Sequence, residues 1–420
     1  MTQRHFLFIQ APFGRFSRDL AQHLRARGHR VTRVIFNGGD LLDWRFGNAH
    51  LFWAPTGRFP AWIKALYARE GVTDIITYGD GHYYTDQAIA AAEKARIAVN
   101  CLEQGYLRPN WITLDAGGVN GRSGLPRDPD FYRSWGIANM EIDGSELELG
   151  SITKRNVFNI ITYSLVFYFS APFFPFYRSP VYMPGYVTGL AHLVRYLGND
   201  KRGEANKAKE EEFLKADWPF YLALMQRPGD SQILCHSAYP TVRSFYLATL
   251  QSFARSAPAD HHLVFKCHPL DQGLSRHAAR IAKAARKAGV ADRVHFIDGG
   301  HLPSLARRSS GVVTVNSTAG VAALSSGIKT KALGEAVYNL PGLTYEGDLD
   351  SFWTAETAPD PDLFSRYRQL MAEMTQVTGS YSTETGMRYA IDTLVERLIA
   401  GPLTEDAIIQ SRSMAQVASG

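Results

Sequence analysis

Four short stretches of this 420-residue chain carry side chains suited to chemistry, and most stand where an apolar run ends. In Tyr78-Gly79-Asp80-Gly81-His82-Tyr83-Tyr84 the glycines permit a tight turn with Asp80 and His82 at its tip. Those two are either solvated turn residues or contacts to a substrate. In Glu103-Gln104-Gly105-Tyr106-Leu107-Arg108-Pro109 a carboxylate stands beside a glycine. A partly desolvated Glu103 would act as general acid/base, and an ion pair with Arg108 is the competing use. In Gln226-Arg227-Pro228-Gly229-Asp230-Ser231-Gln232, Asp230 either attacks an anomeric carbon or caps the next segment. The fourth stretch is a pair, Lys266-Cys267-His268-Pro269 and Asn316-Ser317-Thr318-Ala319-Gly320. Hydroxyl residues at a helix start, with free N–H groups, make a phosphate seat, while plain capping by Ser317 is the alternative. His268, held by Pro269, would donate to a phosphate or protonate a leaving group, or else be structural.

These residues need strands to hold them. His5–Ile9 reads as a strand, Ser17–Ala26 as a helix ended by Gly28, and Val31–Phe36 as the next strand. Such a βαβ opening implies a parallel sheet with helices on its faces. Asp74–Tyr78 and Ile97–Cys101 are further strands around a helix over Asp86–Ala95. The polar run Gly198–Lys215 reads as a linker. Alternation then restarts, with strands at Phe220–Met225, His262–Lys266, Val294–Ile297 and Gly311–Val315. Helices are expected at Pro240–Arg255, at Ser275–Ala288 with Ser275 as N-cap, and from Ala319. The expected organisation is an α/β domain over 1–200, a second over 201–350, and a helical tail over 351–420. That tail would pack back on the N-terminal domain and end in a polar coil. The candidate residues thus fall at strand ends, where open α/β sheets bind ligands.

Composition narrows the class. At about 150 residues per domain the length suits two or three domains. With 45% hydrophobic and 20% charged residues the chain is globular, not disordered. Forty-five Lys and Arg against 40 Asp and Glu leave +5, too small a surplus for a duplex-DNA binder. Cys101, Cys235 and Cys267 form no CxxC and suit a reducing cytoplasm, and no secretory signal is read. No HExxH, Walker A or nucleophile-elbow sequence occurs. The pairs Asp128/Asp130, Asp348/Asp350 and Asp360/Asp362 read as loop carboxylates, so no metal is expected. Residues 156–177 carry no charge and nine aromatic rings, interrupted by polar residues and prolines. A buried helix followed by a loop is the first expectation, a surface for lipid the second, and a membrane span the last.

Two α/β halves are the plan of GT-B glycosyltransferases and also of some epimerases, so the plan alone names no reaction. The motifs together resemble the capsular-polysaccharide biosynthesis and export family of the KpsS/LipB type. The resemblance rests on Phe6–Asp40, Glu103-x-Gly105, Gln226-x-x-x-Asp230, His268-Pro269, Asn316-Ser317-Thr318 and Gly334-Glu335-Ala336-x-Tyr338-x-x-Pro341-Gly342-Leu343-Thr344, and covers about residues 5–345. It implies a GT-B-like fold of two Rossmann-like domains facing across a cleft, the acceptor on the N-terminal one and the sugar nucleotide on the other. It implies transfer of Kdo from CMP-β-Kdo with retention, Asp230 as nucleophile and Glu103 as acid/base. His268, Ser317 and Thr318 would hold the CMP phosphate, with Pro269, Lys266, Asn316 and Gln226 beside them and Glu335 at the ribose. Asp80, His82 and Arg108 are substrate-contact candidates, and Asp115 is a further acid. The implied partners are a lysophosphatidylglycerol-type acceptor, the inner-membrane surface and the capsule export machinery. The implied location is cytoplasmic and peripheral, with no cofactor, metal or nucleic acid. A sialyltransferase-like enzyme on another glycan, or a non-catalytic glycolipid-binding export component, are the alternatives.

Overall fold

The computed structural model describes residues 2–419 except 13, 46, 141, 143–146, 151–153, 180–198 and 272. Its strands are β1 (His5–Ile9), β2 (Arg30–Ile35), β3 (Ala49–Leu51), β4 (Asp74–Tyr78), β5 (Ala98–Gln104), β6 (Trp111–Ala116), β7 (Phe220–Leu224), β8 (His262–Lys266), β9 (Val294–Ile297), β10 (Gly311–Thr314), β11 (Thr330–Ala332) and β12 (Gln376–Thr378). Two compact units form. One contains Met1–Pro126, Met140–Pro180 and Arg368–Gly420; the other contains Arg127–Asn139 and Val181–Tyr367. The sequence reading divides the chain at 200 and 350 instead.

The first unit is built on a seven-stranded sheet, β12-β6-β5-β4-β1-β2-β3. β1 to β5 are parallel; at one side β6 pairs antiparallel with β5, and β12 pairs antiparallel with β6. Apolar residues on both faces of β1 explain the layers. Phe6 and Phe8 enter a core with Leu20 and Leu24 of the helix Phe16–Ala26 and Ile391 and Leu394 of the helix Glu384–Ala400. Leu7 and Ile9 enter the opposite core with Ile63 and Ile89 of the helices Phe59–Glu70 and Tyr83–Ala95.

The second unit is a five-stranded, wholly parallel sheet, β11-β10-β7-β8-β9. Tyr221 and Ala223 face Phe245, Leu250 and Phe253 of the helix Val242–Ser256. Phe220, Leu222 and Leu224 face Leu305, Ala306 and Phe213. Both sheets are α/β and doubly wound. Strand order reverses between β1 and β4 in one and between β7 and β10 in the other, the positions where such sheets leave a ligand crevice. The chain thus contains the two Rossmann-like units of the GT-B class.

Three expectations are corrected. The polar run read as a linker is a helix, Asn199–Lys215 (Gly198 lies outside the described residues). It lacks an apolar stripe but is tied down at its middle and end. Asn206 bonds both the carbonyl and the N–H of Asp298, at 2.7 and 3.2 Å, and Phe213 is buried. The helix expected behind Ser275 begins at His277, and its cap position is Arg276, in left-handed backbone with φ +47°. The tail expected to end in coil continues as a helix, Glu405–Ser419.

The uncharged aromatic stretch also departs from a buried helix. Its helix, Lys154–Ser170, packs one side on the short helix Gly38–Trp44. A Cβ on Gly38 would collide with Ser170, and one on Gly39 would lie 2.5 Å from the Tyr163 ring, so the glycine pair is what lets the helices approach. The other side is exposed. Among the described residues no helix is long and apolar enough to cross a membrane.

Candidate functional site

At the carboxyl ends of β7, β8 and β10 the second unit gathers most of the sequence candidates. Gln226 follows β7 and Asn316 follows β10, 90 residues later, and strand adjacency brings them together. The Gln226 amide donates to Asn316 Oδ1 at 2.9 Å and accepts from the Asn316 N–H at 3.3 Å. Both are buried, and Asn316 Nδ2 donates onward to the Gln232 carbonyl at 2.8 Å. The same Gln226 amide reaches Asp230 Oδ2 at 3.3 Å. Asp230 Oδ1 accepts from the Gln232 N–H at 3.0 Å and so caps the short helix Ser231–Cys235. Capping and placement are therefore one arrangement: both carboxylate oxygens of the half-buried Asp230 are held.

His268 stands just beyond β8. Its Nδ1 accepts from the Leu270 N–H at 3.0 Å, so the neutral ring carries its proton on Nε2. Burial pushes its pKa below the ordinary histidine range; Arg227 and Lys266 push the same way, while Asp230 and Asp271 oppose. Lys266, the last residue of β8, is buried, and burial lowers its pKa as well. Among the described residues its ammonium makes no hydrogen bond. Pro269 is exposed beside it.

Ser317 Oγ accepts from the Ala319 N–H at 3.2 Å in a turn just ahead of the helix, and its carbonyl accepts from the Tyr338 hydroxyl at 2.7 Å; the cap position expected for Ser317 is held by Thr318, with no side-chain cap bond. Thr318, just before the seven-residue helix Ala319–Ser325, is half-buried. Glu335 is exposed, with its carboxylate 3.7 Å from Nδ1 of the buried His236. Its N–H donates to the His236 carbonyl at 2.8 Å. Sequence reasoning passed over three contributors: Arg227, whose charge acts on His268; His236; and Tyr338, which fixes Ser317. Arg227 and Tyr338 lie inside motifs already singled out, but their spacing carries no sign of these roles.

The first unit treats its candidates differently. Asp80, after β4, is fully buried and accepts from the Val119 N–H at 3.0 Å, which braces the loop beyond β6. His82 occupies the cap of the helix Tyr83–Ala95, its N–H donating to Thr85 Oγ1 at 3.2 Å. Asp115 in β6 accepts from Tyr106, Ser123 and the Gly124 N–H at 3.0, 2.5 and 3.0 Å, and burial pushes its pKa up to about 6. Glu103, near the end of β5, is half-buried. Its Oε1 accepts from the Gln104 N–H at 2.9 Å, and Tyr381 donates to its carbonyl at 3.1 Å. Gly105 is a glycine because a Cβ there would lie 2.5 Å from the Trp111 carbonyl on the neighbouring strand. Arg108 is exposed beyond it, its guanidinium 3.5 Å from the Gln104 amide oxygen. Among the described residues no group of three or more His, Cys, Asp or Glu is arranged to hold a metal.

The family model described as "Capsule polysaccharide biosynthesis protein" matches residues 73–381. The capsule polysaccharide export protein KpsS of Escherichia coli is 33% identical over 386 residues, covering 91% of this chain and 97% of KpsS. The capsule polysaccharide modification protein LipB of Neisseria meningitidis serogroup A is 31% identical over 398 residues, covering 91% of this chain and 93% of LipB. Among solved structures, the β-Kdo 2,7 transferase of Thermosulfurimonas dismutans KpsC aligns with 94% of this chain and 99% of its own, at 13% identity and a TM-score of 0.44.

Proposed function

The chain belongs to this capsule polysaccharide biosynthesis family, and from that premise we propose a retaining glycosyltransferase that moves Kdo from CMP-β-Kdo to a lysophosphatidylglycerol-type lipid, starting a capsule anchor. The observation that supports it best is Asp230, a half-buried carboxylate with both oxygens held by donors, in the same strand-end group as His268. Retention at an anomeric centre is two inversions. Asp230 attacks the anomeric carbon while the bond to the CMP phosphate breaks and its electron pair stays on the phosphate oxygen. The Nε2–H of His268 and the ammonium of Lys266 take up that charge, with Ser317 and Thr318 beside them and Glu335 at the ribose. Glu103 removes the proton from the acceptor hydroxyl, which attacks the glycosyl-enzyme and releases Asp230. The enzyme works in the cytoplasm at the inner-membrane surface, alongside the capsule export machinery.

The test is a product assay with freshly made CMP-Kdo and a short-chain lysophosphatidylglycerol, the lipid read by mass. A gain of one Kdo is expected, and Asp230→Ala should lower the rate by about a thousandfold or more. Absence of lipid product with CMP still released to sugar acceptors would discard the lipid. Full activity of Asp230→Ala would discard the mechanism.

A further inference from the structure

We propose that the aromatic helix Lys154–Ser170 and the turn after it dock the first unit on an anionic lipid surface, lying in its plane. The face away from the glycine pair carries Val157, Phe158, Ile161, Leu165 and Phe169, repeating at helical spacing, and all five are exposed. Phe169 is 79% exposed and Phe173, in the following turn, 74%. The patch continues onto Trp53. Its indole N–H donates to the Phe173 carbonyl at 2.8 Å, and its ring meets Phe176 edge-on at 5.6 Å. Trp53 therefore ties the turn to the sheet side of the unit while remaining 57% exposed. An outward row of this many large apolar side chains is not ordinary solvent surface.

Charge selects the occupant. From Gly150 to Asn199 the sequence contains no Asp or Glu, while Lys154, Arg155, Arg178 and Arg195 fall within it. Lys154 and Arg155 are the first two residues of the helix and Arg178 follows the turn, so along the chain the apolar stretch is flanked on both sides by basic residues. An apolar face with a basic border fits the interface of a membrane with anionic head groups. A second copy of the chain would instead bring a like-charged border against it. At about 1.5 Å per residue the helix is about 25 Å long, short of the roughly 30 Å hydrocarbon layer. One side is already packed on Gly38 and Gly39, so the helix can lie in the interface but not span it. The inference rests on the lipid-acceptor reading for its purpose.

The test is flotation of the full chain with vesicles of phosphatidylcholine alone or containing about a third phosphatidylglycerol. The wild type should float with the anionic vesicles, and about 1 M salt should weaken this several-fold. Phe169→Glu with Phe173→Glu should lower the bound fraction about tenfold or more, with an unchanged melting temperature because both rings are already exposed. Flotation of the double variant equal to wild type, or no flotation of wild type, would overturn the proposal. So would a dimer in light scattering that the substitutions break without any vesicle binding. Transfer to a short-chain monomeric acceptor is measured alongside: its retention by the double variant supports a docking face separate from the reaction site. Its absence in wild type would remove the transferase reading while leaving the flotation result in force.

Discussion

The two sheets share the order of their five parallel strands but treat their polar groups in opposite ways. In the first unit, Asp80 and Asp115 are buried and committed to loop backbone and neighbouring hydroxyls; their ligands are the protein's own. In the second, Gln226 and Asn316 lock each other and hold Asp230 half-exposed, while His268 keeps a proton on Nε2 and Lys266 stays buried beside it. The first unit buries its carboxylates among its own donors; the second holds a carboxylate by two donors yet leaves it half-exposed, with cations near it. A carboxylate in such a sheet is therefore informative only together with how deeply it is buried.

This contrast can be broken by substitution. The largest effect on stability is expected for Asp115→Ala. It strands two hydroxyl groups and an N–H and should destabilise the fold by about 3 kcal/mol in urea titrations. Asp230→Ala should cost only the cap, about 1 kcal/mol, despite its loss of activity. Equal destabilisation by the two would erase the distinction. An effect between those two tests a third carboxylate of the first unit, Asp43, which accepts from the Gly14 N–H at 2.8 Å and whose pKa burial raises to about 6. Its folded form binds a proton more tightly than the unfolded chain, so its contribution to stability falls as pH rises from about 4 to 6. Asp43→Asn should remove that fall and be more stable than wild type by about 2 kcal/mol at pH 7, with no advantage at pH 4. Denaturation curves across that range decide it. The smallest expected change is Gly203→Ala in the helix Asn199–Lys215 of the second unit. The space around a Cβ there is open, and a gain of about 0.5–1 kcal/mol is expected by the same titration.

What was legible in the sequence follows from range. β1, β4, β8 and β9 match the expected strands to the residue, because each is a short apolar run closed by a turn or a helix start. β6 and β12 were not foreseen. β12 is three residues immediately after a helix, and its Gln376 is fixed by Tyr106 and Thr113 from far earlier in the chain. The helix Asn199–Lys215 shows no apolar period, since Asn206 and Phe213 hold it through contacts some 80 to 90 residues away. At the site, residue types at strand ends marked Asp230, His268 and Asn316 as positions of interest. Their partners could not be read, because Gln226 meets Asn316 only once β7 and β10 are neighbours. Nor could burial be read, which is why Asp80 and Asp230 looked alike.

The glycine pair Gly38-Gly39 has a consequence for orientation. By receiving Ser170 and Tyr163 it fixes the rotation of the helix Lys154–Ser170 about its own axis. Slipping that helix by a single residue would turn it by about 100° and bring a different row of side chains to the outside. Two residues without side chains thus determine which aromatic rings, over a hundred positions later in the chain, face outward.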